Sequence, residues 1–340
     1  MWVSKFKRDM KRLMLLLAFV LMVLPSALKA QQVPLYSQYM MNKYLLNPAF
    51  AGSEGYTSYN LTARQQWMGF GDANTPSTQA LAVQTRVLKT SFLSKSRLIR
   101  NTSRKKPSGR VGLGGYVFND RNGVINRTGL QGTYAYHIQV GEGQLSFGAS
   151  GTIYQFKIDD DELILPDEDL GVPDPLIEGR RNTMFIPDAS AGIYYMYHNL
   201  YVGFSGTNLF QSVLKFGSDD SYSSYKLLRN YYLMGGYRIQ IDDKYSLEPS
   251  LLLHSTEDFN MQADINVKAY YKNDYWMGFS YRTGSALISM VGVKVGKLYF
   301  GYAYDYSLRD IQNLSYGSHE IMVGLRFGDS QRRYRWLRRF

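Results

Sequence analysis

The chain contains no cysteine, so no disulfide can stabilise it. Stability must come from a large core, a closed sheet or a membrane. After residue 30 no apolar run reaches 18 residues, which excludes a further transmembrane helix. Proline is scarce at 10 residues, whereas Tyr and Gly reach 29 and 31. No helical heptads accompany them, and this balance points to β structure.

Chemistry-bearing motifs are missing as well. The four histidines, His137, His198, His254 and His319, fall on different predicted strands without metal-ligand spacing. His254 and Ser255 are the nearest approach to a Ser–His pair, and nothing marks an orienting acid beside them. Gly112 to Gly115 lie in a predicted strand with no helix after it, so they are not a phosphate loop. The acidic stretch DDDELILPDEDLGVPD at 159–174 lacks the calcium-loop pattern and is expected to be a solvated loop. No cofactor and no enzymatic activity are expected.

What is present begins with targeting. Lys5, Lys7, Arg8, Lys11 and Arg12 precede an apolar run from Leu13 to Leu24, then Pro25, Ser26 and Ala30. A basic start, a short apolar stretch and a small-residue exit read as a secretory signal over 1–30. Its removal leaves 33 basic and 27 acidic residues, so the net charge falls from +11 to +6. Much of the basicity is therefore targeting, and with no recognition motif a nucleic-acid partner is not expected.

The rest of the chain alternates with period two. In 263–271, apolar or aromatic residues alternate with Asp264, Asn266 and Lys268. The pattern recurs where Leu61 faces away from Asn60, Thr62 and Arg64, and where Ile321 and Val323 face away from Glu320, Gly324 and Arg326. Apolar residues on one face and charges on the other suit a transmembrane barrel, whose apolar face meets lipid. Aromatic residues cluster at strand ends, as at Trp67, Tyr275-Trp276 and Tyr304-Asp305-Tyr306, as expected for interfacial girdles.

About 14 strands are expected, at 57–68, 78–89, 110–119, 127–139, 144–157, 187–198, 200–207, 230–241, 244–254, 261–272, 274–282, 285–295, 297–305 and 317–328. The expected fold is an all-β, antiparallel transmembrane barrel over 57–328. Short turns at 141–143, 198–199, 242–243, 272–274 and 296–297 share one parity, expected to be periplasmic. Longer connections near 158–186, 208–229 and 306–316 share the other. The basic stretch 90–109 breaks this rule, being either two further strands or a periplasmic insertion with Lys95, Arg97, Arg100, Arg104, Lys105 and Lys106. The tail 329–340 adds Arg332, Arg333, Arg335, Arg338 and Arg339. Both are candidates for docking an acidic periplasmic partner.

The start of the mature chain, QYMMNKYLLNPAFAG at 38–52, fits neither period. Asn47-Pro48 favours a turn, and Ala51-Gly52 permits tight backbone approach. Residues 31–56 are read as a plug-like segment across the periplasmic mouth, the alternative being a first strand displaced towards the N-terminus. Tyr39, Met40, Asn47, Pro48 and Phe50 are its candidate partner-binding residues.

One family shares these motifs. Gln32, Pro34, Tyr36, Ser37, Gln38, Tyr39, Met40 and Asn42, then Asn47-Pro48-Ala49-Phe50-Ala51-Gly52, are followed by Gln66-Trp67, Pro76 and Thr78, then Asn119-Asp120. Together they resemble the PorP/SprF family of type IX secretion membrane proteins. That resemblance implies an outer-membrane barrel of Bacteroidota working in secretion and gliding. It implies partners such as a PorK/PorN-like ring, a peptidoglycan-binding protein and a large secreted adhesin, besides outer-membrane lipid. It brings no catalytic residues. The insertion at 90–109 departs from the family pattern. The alternative role is a 14-stranded transporter of hydrophobic small molecules, disfavoured by the inward placement of Arg64, Arg86, Asp264, Lys268, Glu320 and Arg326. A diffusion porin and a barrel enzyme rank lower.

Overall fold

The computed structural model describes residues 36–70, 75–87, 110–158, 183–211, 213–216 and 223–327. Fourteen antiparallel strands close into a barrel. They are β1 (Thr57–Gln65), β2 (Ser77–Val87), β3 (Val111–Asn122), β4 (Ile125–Val140), β5 (Gly143–Ile158), β6 (Thr183–Tyr197) and β7 (Leu200–Thr207). Then follow β8 (Asn230–Tyr237), β9 (Tyr245–Thr256), β10 (Met261–Tyr271), β11 (Tyr275–Arg282), β12 (Ala286–Val295), β13 (Leu298–Ser307) and β14 (Ser318–Phe327). Each strand pairs with its sequence neighbours, and β1 closes on β14 with Thr57 opposite Phe327 and Gln65 opposite His319. Closure leaves no free sheet edge of the kind that invites aggregation.

The strands agree with the alternation read from sequence. Along β1 the even-numbered residues from Ser58 to Arg64 are buried, while their odd-numbered neighbours are more exposed. The usual burial rule is inverted: Leu61, Leu130, Val291 and Phe279 are exposed, while Arg64, Asp264, Lys268 and Glu320 are buried. An apolar outer surface around charged inner faces is what lipid selects. No helix is long and apolar enough to cross a membrane among the described residues, and strands do the crossing instead.

Three expectations need correction. Trp276 does not join an outer girdle with Tyr275; strand alternation turns it inward over Gly292, leaving Tyr275 outside. Not every connection at the end away from the first and last strand termini is long. Residues 123–124, 257–260 and 283–285 are tight links, whereas 66–76, 159–182, 208–229 and 308–317 are longer. A short hairpin, Val213–Phe216 with Ser223–Lys226, lies within the loop 208–229 and was not foreseen. At the opposite end, Gly141-Glu142, His198-Asn199 and Gly296-Lys297 make two-residue turns. The first residue of each has φ between 49° and 62°, as expected for tight hairpins. The signal segment, the basic stretch 90–109 and the C-terminal tail lie outside the described residues.

Candidate functional site

Residues 36–56 pack against the inner faces of the strands and build the interior with them. Tyr36, Tyr39, Met40 and Leu46 share an apolar cluster with Tyr232, Leu252, Trp276, Ile288 and Met290. Tyr44, Ala49, Phe50 and Ala51 share a second cluster with Ala82, Ala135, Tyr194, Met196 and Tyr201. The segment is not a displaced strand. It consists of turns, including the short 3₁₀ helices Lys43–Leu45 and Pro48–Phe50.

The Asn47-Pro48 signal has a specific use. Asn47 caps the second 3₁₀ turn by accepting from the Ala49 amide at 2.9 Å. Proline suits the first position of such a turn because its missing N–H has no partner to lose. The Asn47 Nδ2 donates to the carbonyls of Ile193 on β6 (3.0 Å) and Phe204 on β7 (3.3 Å). One side chain therefore shapes the turn and ties it to the wall. Phe50 meets Tyr194 edge-on at 5.2 Å, and the Lys43 ammonium sits 3.9 Å from the centre of the Tyr201 ring, a favourable cation–π arrangement.

The wall is shaped for this segment by glycine. A Cβ at Gly112 would lie 2.0 Å from the Ala51 carbonyl oxygen, and one at Gly148 would lie 2.3 Å from the Ala49 nitrogen. One at Gly192 would lie 2.3 Å from Asn47 Oδ1, and one at Gly301 2.2 Å from Gln38 Oε1. At Gly112 and Gly148 the obstacle is segment backbone, so no side chain fits there while the segment is seated; at Gly192 and Gly301 it is a side-chain end of the segment. In the glycine run at 112–115, Gly112 faces the Ala51 carbonyl and Gly114 the Tyr44 ring, whereas Gly115 faces open space.

The N-terminal part of the segment is held by charge. Glu320 Oε2 accepts from the Ser37 amide at 2.7 Å, and its Oε1 accepts from the Gln38 amide at 2.9 Å. Arg64 donates to Asp305 Oδ2 at 2.8 Å and to the Ser37 hydroxyl oxygen at 2.6 Å. The Ser37 hydroxyl donates to Asp305 Oδ2 at 2.6 Å. Arg282 donates to both oxygens of Asp264, and Asn266 beside it donates to the Tyr39 hydroxyl. Buried charges are tolerated only when paired and hydrogen-bonded in this way. At the opposite end of the segment, His137 Nε2 lies 3.0 Å from the Ala51 carbonyl oxygen and Nδ1 lies 2.8 Å from the Ser146 hydroxyl. Arg86 donates to Gln144 at 2.6 Å, and Gln144 donates to the Ser53 carbonyl at 3.2 Å.

Tyr39, Met40, Asn47, Pro48 and Phe50 are all brought together here, buried against the barrel's own strands. The segment also reaches deeper than the mouth: Ser37 meets Arg64 near the far end of β1. Arg104, Lys105, Lys106, Arg332, Arg333, Arg335, Arg338 and Arg339 lie outside the described residues. Ser37, Gln38 and Tyr44 were not singled out as site residues from sequence, though Ser37 and Gln38 stand in the shared motif. Among the described residues no group of three or more His, Asp or Glu is placed to hold a metal. His254 bonds Asn230 at 2.9 Å, and the Ser255 hydroxyl donates to the Thr256 carbonyl, so the two do not form a dyad.

Solved structures to which this chain is similar include the toluene transporter TodX of Pseudomonas putida. It is 12% identical, covering 84% of this chain and 92% of that one, at a TM-score of 0.44. The outer membrane protein Omp33 of Acinetobacter baumannii is 8% identical, covering 80% and 98%, at a TM-score of 0.42. No curated protein matches. The family model described as type IX secretion system membrane protein PorP/SprF matches residues 28–325, nearly the whole chain. The chain therefore belongs to the PorP/SprF family, as an outer-membrane β-barrel component of type IX secretion.

Proposed function

We propose that this barrel is a non-enzymatic support for export or surface attachment of secreted proteins, adhesins included, and that residues 31–56 act as its plug. The observation that carries the reading is the occupied lumen. Residues 36–56 touch inner faces around the barrel, from Arg64 on β1 to Glu320 on β14, by way of Thr133, Ser205 and Asn266. A barrel filled by its own chain is suited to anchoring and docking. The charged inner wall likewise argues against a conduit for hydrophobic molecules.

In this reading the turn end faces the periplasm. The basic stretch 90–109 and the arginine-rich tail dock acidic surfaces of partners such as a PorK/PorN-like ring or a peptidoglycan-binding protein. Complementary charge would chiefly speed and orient that encounter. Affinity purification of the barrel from its native outer membrane in gentle detergent tests the proposal. Ring or cargo proteins of the secretion system are expected with it, and its deletion is expected to impair secretion. A barrel recovered alone, with secretion unchanged on deletion, would refute it.

A further inference from the structure

Between the seated segment and the loop after β7 the interior keeps a chamber of about 120 Å³. Tyr36, Leu45 and Leu46 of the segment line one side, and Asn208 and Leu227 of the β7–β8 connection line another. Four aromatic residues stand in the remaining wall, beside the polar Gln131, Thr152, Ser190 and Thr207. Tyr116 stacks on Phe118 at 5.1 Å, Tyr154 lies beyond them, and Tyr232 comes from β8. The hydroxyls of Tyr36 and Tyr116 bond each other at 2.6 Å, which spends their polarity locally.

Three charged residues line the chamber: Asp120, Arg127 and Asp188. Arg127 donates to Asp120 Oδ2 through both Nε and Nη2, and Thr78 donates to Asp120 Oδ1 at 2.8 Å. That pair neutralises itself. Asp188 is different. It is 5% exposed, and its Oδ1 accepts from the amides of Ala189 (2.7 Å) and Phe210 (3.2 Å). Its Oδ2 is buried and, among the described residues, has no hydrogen-bond donor. A shielded carboxylate oxygen without a donor is costly, and the cost is relieved by a ligand that brings one.

We propose that this chamber binds a small organic cation, an ammonium or guanidinium head on an apolar body about the size of one aromatic ring. The head would pair with Asp188 and the body would lie against the tyrosine and phenylalanine faces. Two carboxylates against one guanidinium leave room for one positive charge, and aromatic faces attract cations. A cavity of roughly 150 Å³ accepts benzene, so in this smaller chamber one ring is the upper limit for the body. Two sources carry this chemistry: a free amine, or a Lys or Arg side chain of a polypeptide. The inference goes beyond the secretion role and does not rest on it.

Calorimetric titration of the full chain in detergent tests it, with benzylamine, the neutral isostere benzyl alcohol, and acetyl-lysine-amide as probes. Benzylamine, cationic at neutral pH, is expected to bind at least about tenfold more tightly than benzyl alcohol. Asp188→Asn should erase that preference, and Leu227→Trp, which fills the chamber, should abolish binding of both. Acetyl-lysine-amide binding as well as benzylamine supports the proposal with a polypeptide as source; benzylamine binding alone supports it with a free amine. Equal binding of benzylamine and benzyl alcohol by the unaltered protein, a preference that survives Asp188→Asn, or no binding at all would overturn it.

Discussion

Gly148→Val should loosen the N-terminal segment without breaking the barrel. Gly148 lies on β5, facing inward, and a Cβ there would lie 2.3 Å from the Ala49 nitrogen and 2.4 Å from the Pro48 carbonyl carbon. Both neighbours are backbone, so neither can swing aside as a flexible side chain would. Restoring ordinary contact requires the segment to retreat by about 1 Å at a place where it is tightly packed. Overpacking of this kind costs about 1–3 kcal/mol, and that range corresponds to about 5- to 150-fold in an equilibrium. The affected amides are well suited to report it. Those of Asn47, Ala49, Phe50, Ala51, Gly52 and Ser53 are all hydrogen-bonded, to Lys43, Asn47, Asn47, Pro48, Gln84 and Phe50 respectively. Hydrogen–deuterium exchange of the peptide covering 47–53 should accelerate by about that factor. Gly132→Val is the control, because a Cβ there meets nothing within 4 Å. It introduces the same β-branched side chain into the neighbouring strand without touching the segment. Equal exchange in the two variants would refute the glycine seat.

Three further outcomes are expected. Arg64→Ala leaves Asp305 and Glu320 buried without their cation and should cost about 3–5 kcal/mol, read as a lower unfolding temperature in detergent with faster exchange at Ser37 and Gln38. Phe279→Arg places a charge on the exposed outer face of β11 and should destabilise the lipid-embedded barrel by about 2–4 kcal/mol; Phe279→Leu should be close to neutral when both are followed by heat-induced mobility change on gels. Replacing Arg332, Arg333, Arg335, Arg338 and Arg339 with Gln should weaken periplasmic partner capture, most visibly at low salt where surface charge is least screened. Unchanged co-purification across a salt series would remove the tail from the docking surface.

The strands were legible because their cause is local. A side chain in a strand faces one side or the other with period two, so Leu61 and Thr62 declare their faces wherever the strand sits. The same rule placed Arg64, Asp264, Lys268 and Glu320 inside before any partner was known. Trp276 obeys the period and turns inward beside outward Tyr275, so a strand-end position alone does not make an aromatic residue part of a girdle. The period does not reveal the hairpin beyond β7, whose paired strands have four residues each and offer little periodic signal.

The sequence by itself determined the number of crossings, which faces meet lipid and which charges turn inward, because these follow from neighbours one and two positions away. Only the tertiary structure decided what the inward charges do. Glu320 captures the Ser37 amide across 283 residues of chain, and Asn47 reaches carbonyls on β6 and β7. Those contacts exist because fourteen strands close on themselves and surround the segment, and no local pattern encodes which wall residue a turn will meet once the ring is complete. The same holds for the glycines. In the sequence Gly148 is a small residue in a strand; in the closed barrel it is the gap into which the Pro48-Ala49 backbone fits.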